Sequence, residues 1–225
     1  IGPTAAQTRA AELLAQTTKL PLAICAVLSR LNVEPDAVDA YMAPTLRNLL
    51  PDPRSLRDME TASARLIHAV NSRQRVAIFG DYDVDGGASS ALLIAWLRQL
   101  GLASPLYIPD RIDEGYGPNA PAMRKLADAH DLIICVDCGT LSHEAIAAAA
   151  PTDVIVFDHH LGAETLPPAH AVVNPNRQDE TGDLAHLCAA AVVFLALVEA
   201  GRQLREDGQR APDLLGLLDL VALAT

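Results

Sequence analysis

VAIFGDYDVDG, residues Val76–Gly86, decides the fold. Four apolar residues lead into Gly80, and three carboxylates then arrive within five positions: Asp81, Asp83 and Asp85. An apolar run bounded in this way reads as a buried strand. Acids crowded just past such a strand repel one another unless positive charge lies between them. A divalent cation resolves the conflict, because carboxylate oxygens suit Mg²⁺ and Mn²⁺. A solvated acidic loop is the alternative that this stretch alone leaves open.

Two further strands end in the same way. LIICV runs into Asp137 and VIVF into Asp158, which is followed by His159 and His160. From Val76 onward, strands alternate with helical patterns, so the expected fold class is α/β, a parallel sheet flanked by helices. In such sheets, sites form beyond the carboxyl ends of the strands. Three acidic strand ends on one edge, with imidazoles beside them, make a site for two divalent ions, and Mn²⁺ accepts both oxygen and nitrogen ligands. Asp137, alone on the middle motif, is the natural bridge between them. A pair of ions can activate water, clamp a phosphoryl oxygen and support a leaving group. Acids capping helices and histidines satisfied within a loop form the competing reading, which has to explain all three motifs at once.

The chain has 225 residues, enough for one large domain or one domain with an appendage. Half are hydrophobic and 4% aromatic, so the core is built of Ala, Leu, Val and Ile. A formal charge of −11 argues against a broad basic surface for gripping nucleic acid. It leaves room for a nucleic-acid enzyme whose acids are covered by metal. No basic-then-apolar leader is visible, and the longest apolar run, Leu187–Val198, is too short to span a bilayer. The expectation is a soluble protein. Cys25, Cys135, Cys138 and Cys188 are scattered; the single C-x-x-C has no second pair to complete a zinc set. Cys135 reads as a buried thiol, and free thiols suit the cytoplasm.

Along the chain, Ala5–Leu20, Leu22–Leu31 and Asp36–Tyr41 read as helices, and Leu46–Pro53 as a connector broken by prolines. Residues 1–54 are expected to form a helical cap, and 55–225 the catalytic domain. Ser55–Asn71 is an amphipathic helix with Met59, Ala62, Leu66 and Ala69 on one stripe. Gly86 and Gly87 are expected to turn the chain, with Ser89 or Ser90 capping a helix over Ala91–Leu100. Further expectations are a brief strand at Leu106–Ile108, a helix from Asn119 to His130 and another over His143–Ala150. A fourth strand at Ala171–Val173 and helices over Leu187–Leu204 and from Leu214 complete the pattern.

GDYDVDG, VDCGT and DHH, in this order and each after a strand, resemble the motifs of the DHH phosphoesterase superfamily. Ile108–Gly117 (IPDRIDEGYG), Leu166–Asn176 (LPPAHAVVNPN) and Leu217–Thr225 (LLDLVALAT) are most similar to its RecJ branch. The likeness covers most of Tyr41–Thr225. It implies a single-strand-specific 5′→3′ DNA exonuclease that releases 5′-mononucleotides with two Mn²⁺ or Mg²⁺ ions. It implies metal ligation by Asp83 and Asp85, with Asp81 a further candidate, by Asp137 as bridge and by His159. His160 would face the scissile phosphate, with Asp137 and Asp158 completing the catalytic set, and Arg111 would hold a terminal 5′ phosphate. Single-stranded DNA with a 5′ end, a single-strand-binding protein and a helicase are the implied partners.

Two departures stand out. Cys138 occupies a position where the branch commonly has asparagine. The branch also supplies a fourth-motif aspartate, a closing second domain and an oligonucleotide-binding module beyond the helix that LVALAT begins. Asp219 precedes that position and is a poor substitute. The expectation is therefore impaired metal binding at one site and little processive activity in the isolated chain. Rival readings remain: DHH phosphodiesterases acting on short oligoribonucleotides or cyclic dinucleotides, an inorganic pyrophosphatase, and an inactive binding module. A haloacid-dehalogenase-type phosphatase would need a lysine near the phosphate, and the chain has only Lys19 and Lys125. A dinucleotide-binding site would need a G-x-G-x-x-G after the first strand, which is absent.

Overall fold

A computed structural model describes residues 2–225, which divide into two compact units, one ending at Pro51 and the other comprising Asp52–Thr225. The first unit contains α1 (Ala5–Thr18), α2 (Leu22–Arg30), α3 (Val38–Met42) and α4 (Leu46–Leu49). A reciprocal cap starts α1: Thr4 Oγ1 accepts from the Gln7 amide, and the Gln7 side chain accepts from the Thr4 amide. Ala11, Leu14, Cys25, Leu28 and Val38 form its small core. The expected proline-broken connector thus contains one helical turn, α4.

The second unit runs α5 (Met59–Asn71), β1 (Val76–Gly80), α6 (Val84–Gln99), β2 (Leu106–Tyr107), α7 (Ala120–Ala129) and β3 (Leu132–Val136). It continues through α8 (His143–Ala147), β4 (Asp153–Phe157), β5 (Ala171–Val173), α9 (Ala189–Glu206) and α10 (Leu218–Ala224). The five strands are all parallel, in the order β2-β1-β3-β4-β5. Alternate strand residues face opposite layers. Ile78, Ile134, Phe157 and Val173 pack with α5, α6 and α9, whereas Phe79, Cys135, Val156 and Val172 pack with α7 and α8. Covering both faces explains why these strands read as continuous apolar runs. Each large side chain so buried contributes about 1.5–3 kcal/mol. The chain leaves β1 toward β2 on one side, then returns past β1 to build β3, β4 and β5 on the other. The crevice at such a reversal, at the carboxyl ends of β1 and β3, is where doubly wound sheets place ligands.

Several element boundaries differ from the sequence expectation. The helix expected over Ser55–Asn71 starts at Met59, after a 3₁₀ turn at Pro53–Ser55 capped by Asp52. Asp58 is left-handed (φ 59°), and its carboxylate accepts from Arg177 Nη1 and the Val172 amide, so the helix cannot extend back through it. Residues 52–54 belong to the second unit, where Arg54 reaches Glu199 on α9. Helix α8 stops at Ala147, short of Ala150. The largest difference is α6, which begins at Val84 rather than Ala91. Asp83 is its N-cap, its Oδ1 accepting from the Gly86 amide at 3.0 Å. Ser90 instead donates back to the Gly86 carbonyl. Gly86 therefore serves close packing, not a turn: a Cβ there would lie 2.5 Å from the Asp81 carbonyl oxygen. Among the described residues, no helix is long and apolar enough to cross a membrane.

Candidate metal centre

Strand register brings the three acidic motifs together. Gly80 pairs with Val136, and Val136 with Phe157, so Asp81, Asp137 and Asp158 leave the sheet at one level. All three are buried. Asp137 turns sharply, with φ at 60°, and Gly139 follows at φ 116°. Non-glycine residues seldom occupy the left-handed region, though aspartate tolerates it better than most. Here the turn follows directly on the end of β3.

Among the described residues, two side-chain groups have the spacing to hold a cation. One is Asp81, Asp83 and Asp137; the other is Asp137, His159 and His160; within each, the ligand atoms lie within 4.8 Å of one another. Asp137 is common to both. Both its oxygens are buried without a hydrogen-bond donor, as is Asp81 Oδ1. Buried acceptors are normally satisfied, so three orphaned carboxylate oxygens in one place need an explanation. A divalent cation fits: the donors are hard oxygens with imidazole beside them, and the orphaned atoms are those that would ligate.

The electrostatics show the same need. Burial, with the charges of Asp85 and Asp83, pushes Asp137 up to about 6, although His159 opposes the shift. Burial also raises Asp81, against the Tyr82 amide and the positive charge of Arg111. Asp83 is exposed, and although partial desolvation opposes the shift, the Gly86 amide and its contact with Asp137 hold it below the usual range. His159 Nε2 stands 3.3 Å from Asp137 Oδ1, and that contact leads in raising its pKa to about 9. His159 Nδ1 lies 3.2 Å from the Leu187 carbonyl. A proton on Nδ1 directed to that carbonyl frees Nε2 as a ligand, the usual way an outer partner sets a histidine tautomer.

Asp158 and Asp85 are differently placed. Asp158 Oδ1 accepts from the His159 and His160 amides and lies 2.8 Å from His160 Nδ1; Oδ2 accepts from the Thr140 amide. Its carboxylate is thus occupied within the motif, and these bonds keep it ionised despite burial. His160 is raised in turn, chiefly by Asp158. Asp85 caps α9, its two oxygens accepting from the Ala189 and Ala190 amides at 2.7 Å each. Its Oδ2 is still 3.6 Å from His159 Nε2, at the margin of the second group. Arg111 stands with its guanidinium 5.2 Å from the centre of the Tyr82 ring. Cys138 is buried against the α7–α8 layer, its thiol directed to the Val136 carbonyl and pushed up by burial. Both it and Cys135 are core thiols, and all four cysteines are free.

Four residues that the motifs did not single out shape the site. Asn174 donates to Thr140 Oγ1 and the His160 carbonyl, and Asn176 to the His159 carbonyl, so NPN holds the DHH turn. Tyr82 and Tyr116 meet edge to face, ring centres 6.5 Å apart, and Tyr116 meets His160 at 5.7 Å. The quoted stretches VVNPN and DEGYG contain three of them; tyrosines and asparagines in loops carry no charge pattern to mark them.

The sequence and the fold both match known proteins. Residues 75–225 match the DHH family, N-terminal domain. The single-stranded-DNA-specific exonuclease RecJ of Haemophilus influenzae is 37% identical over 189 residues, 80% of this chain and 33% of that protein. The Escherichia coli RecJ is 33% identical over 93% of this chain and 38% of its own length. A crystal structure of Thermus thermophilus RecJ in complex with Mn²⁺ superposes with a TM-score of 0.74 at 27% identity, over 98% of this chain and 30% of that one. The chain spans about a third of the length of these curated relatives. With a matching fold, three motifs in register and the family match over residues 75–225, the chain belongs to the DHH family.

Proposed function

We propose that the chain carries the catalytic motifs of a divalent-metal-dependent exonuclease that degrades single-stranded DNA from its 5′ end and releases 5′-mononucleotides. The observation that carries this reading is Asp137, a buried carboxylate shared by two cation-sized groups, with no well-formed hydrogen bond to either oxygen and only His159 Nε2, 3.3 Å away, beside it. Asp81, Asp83 and Asp137 would hold one Mn²⁺ or Mg²⁺ ion; Asp137, His159 and Asp85 would contribute to the other. Bound in pairs, such ions polarise a phosphoryl oxygen and make water a better nucleophile. RecJ structures containing Mn²⁺ or Mg²⁺ support the choice of ions.

The chain's own residues supply the rest. Asp137 and Asp83 neutralise neighbouring positive charge and fix its position. His160, half-exposed and oriented by Asp158, presents a ring proton to a phosphate oxygen where charge develops. Arg111, backed by Tyr82, offers paired donors to a terminal phosphate. The reading places catalysis in the second unit, and a reducing cytoplasm suits the four free thiols. The test is hydrolysis of 5′-phosphorylated single-stranded DNA, duplex DNA and short RNA by the protein at its full natural length, with Mn²⁺. Mononucleotides released from single-stranded DNA alone are expected. Preference for two- to five-nucleotide RNA would instead assign the site to the oligoribonucleotide-cleaving relatives.

A further inference from the structure

Tyr116 belongs to the Pro109–Gly117 loop that also carries Arg111, and both residues meet the Tyr82 ring. Tyr116 stands between Gly115 (φ 83°) and Gly117 (φ 72°), both left-handed. The loop around it is tied down. Glu114 accepts from Tyr107 Oη, from the Asp110 amide and from Asn119 Nδ2, and Asp110 accepts from the Ile112 and Asp113 amides. The Tyr116 hydroxyl donates to the Asp137 carbonyl at 3.2 Å and lies 3.2 Å from His160 Nε2 and 3.3 Å from Nδ1. The hydroxyl thus bridges the Asp137 carbonyl and the imidazole, nearly equidistant from the two ring nitrogens. Asp158 holds the same ring at Nδ1, 2.8 Å away. His160 is thereby held from two sides, by a carboxylate on its own turn and by a hydroxyl from a loop more than 40 positions earlier in the chain.

We infer that Tyr116 is a positioning residue: its hydroxyl fixes the His160 imidazole and couples the Arg111 loop to the turn at Asp137. This deepens the proposed function and rests on it for its catalytic consequence. Edge-to-face contacts run from Tyr82 through Tyr116 and His160 to His159, with Arg111 over the first ring. The group that meets a terminal phosphate and the group that meets the scissile one are therefore registered through two tyrosines. Losing the hydroxyl frees the ring to rotate while the aromatic packing stays.

The test is Tyr116→Phe, read in two ways. In the metal-free protein, ¹⁵N-resolved NMR of the imidazoles is expected to show the His160 resonances shifted or broadened and the His159 resonances unchanged. With Mn²⁺ and single-stranded DNA, kcat is expected to fall about 10- to 100-fold, as misplacement of a reacting group does, with KM, Mn²⁺ stoichiometry and Tm unchanged. Unchanged His160 resonances overturn the inference, as does loss of Mn²⁺ binding along with activity, which would make the hydroxyl a support for Asp137 alone. A wild-type protein without nuclease activity defeats the functional reading, and the imidazole spectra still decide the inference.

Discussion

The Asp52–Thr225 unit treats its buried charges in two opposite ways. On the helical side they are satisfied. Arg177 binds Asp58, Asp179 and the Val172 carbonyl; Arg65 binds Asp153, Gln74 and the Asp131 carbonyl; Glu199 binds Arg54, Arg202 and Gln203. At the strand ends, Asp137 and Asp81 are as deeply buried, and three of their oxygens have no donor. Burying an ion without partners is expensive, so the first group reads as architecture and the second as a site awaiting positive charge.

The sharpest way to break that contrast is to neutralise one member of each group. Asp137→Asn is expected to lower Mn²⁺-dependent hydrolysis by about 10³-fold or more, since it removes the carboxylate common to both clusters. Its effect on the metal-free fold should be the reverse of damage. Asp137 is raised to about 6, so its ionised form destabilises the fold above that pH. A neutral amide should raise metal-free stability at pH 8 by about 1–3 kcal/mol, measurable by urea unfolding. Arg177→Met should do the opposite. It strands Asp58 and Asp179, which are 39% and 51% exposed and can recover water, so a loss of about 2–4 kcal/mol is expected with Mn²⁺ stoichiometry intact.

Protons compete with metal at the strand ends only. His159, raised to about 9, must lose its proton to become a ligand, and Asp137, at about 6, must do likewise. Mn²⁺ affinity should therefore climb steadily from pH 6 to pH 9 in calorimetric titrations. Metal-free stability should move the other way. The raised Asp137 stabilises the fold only while protonated, and that contribution disappears as pH rises from about 4 through 6. The raised His159 adds stability below about 6.5 that vanishes as pH rises through 9. Saturating Mn²⁺ should flatten the decline in Tm, whereas the Arg177 cluster contributes no such slope.

The smallest effects separate two adjacent glycines. Gly86→Ala meets the Asp81 backbone and should cost about 2 kcal/mol, weakening Mn²⁺ binding with it. Gly87→Ala meets nothing within 4 Å and lies inside α6. It should stabilise the fold by about 0.5–1 kcal/mol in thermal unfolding.

Much of this was legible in the chain. Continuous apolar runs ending in Asp81, Asp137 and Asp158 announced a doubly covered parallel sheet, because burial on both faces erases alternation. The register that aligns those ends was not legible, since nothing local fixes which strand levels match. The start of helix α6 is not legible, because two adjacent glycines look like a turn; the closeness of the Asp81 backbone shows why the helix contains Gly86. Asp85 reads as one more acid in a D-x-D-x-D string, and its role at the α9 N-terminus depends on a contact 104 positions away. Tyr116 was hidden for the same reason: its partners, Asp137 and His160, come from two other motifs. Local chemistry marked the acids; the residues that orient them act through long-range contacts.

Electron paramagnetic resonance of the Mn²⁺-loaded protein, at its full natural length, tests the shared role of Asp137 most directly. Two ions bridged by one carboxylate should give a spin-coupled pair at two Mn²⁺ per chain, and Asp137→Asn should abolish the coupled signal. Two uncoupled Mn²⁺ ions in the wild type, or a coupled pair that survives Asp137→Asn, would contradict it.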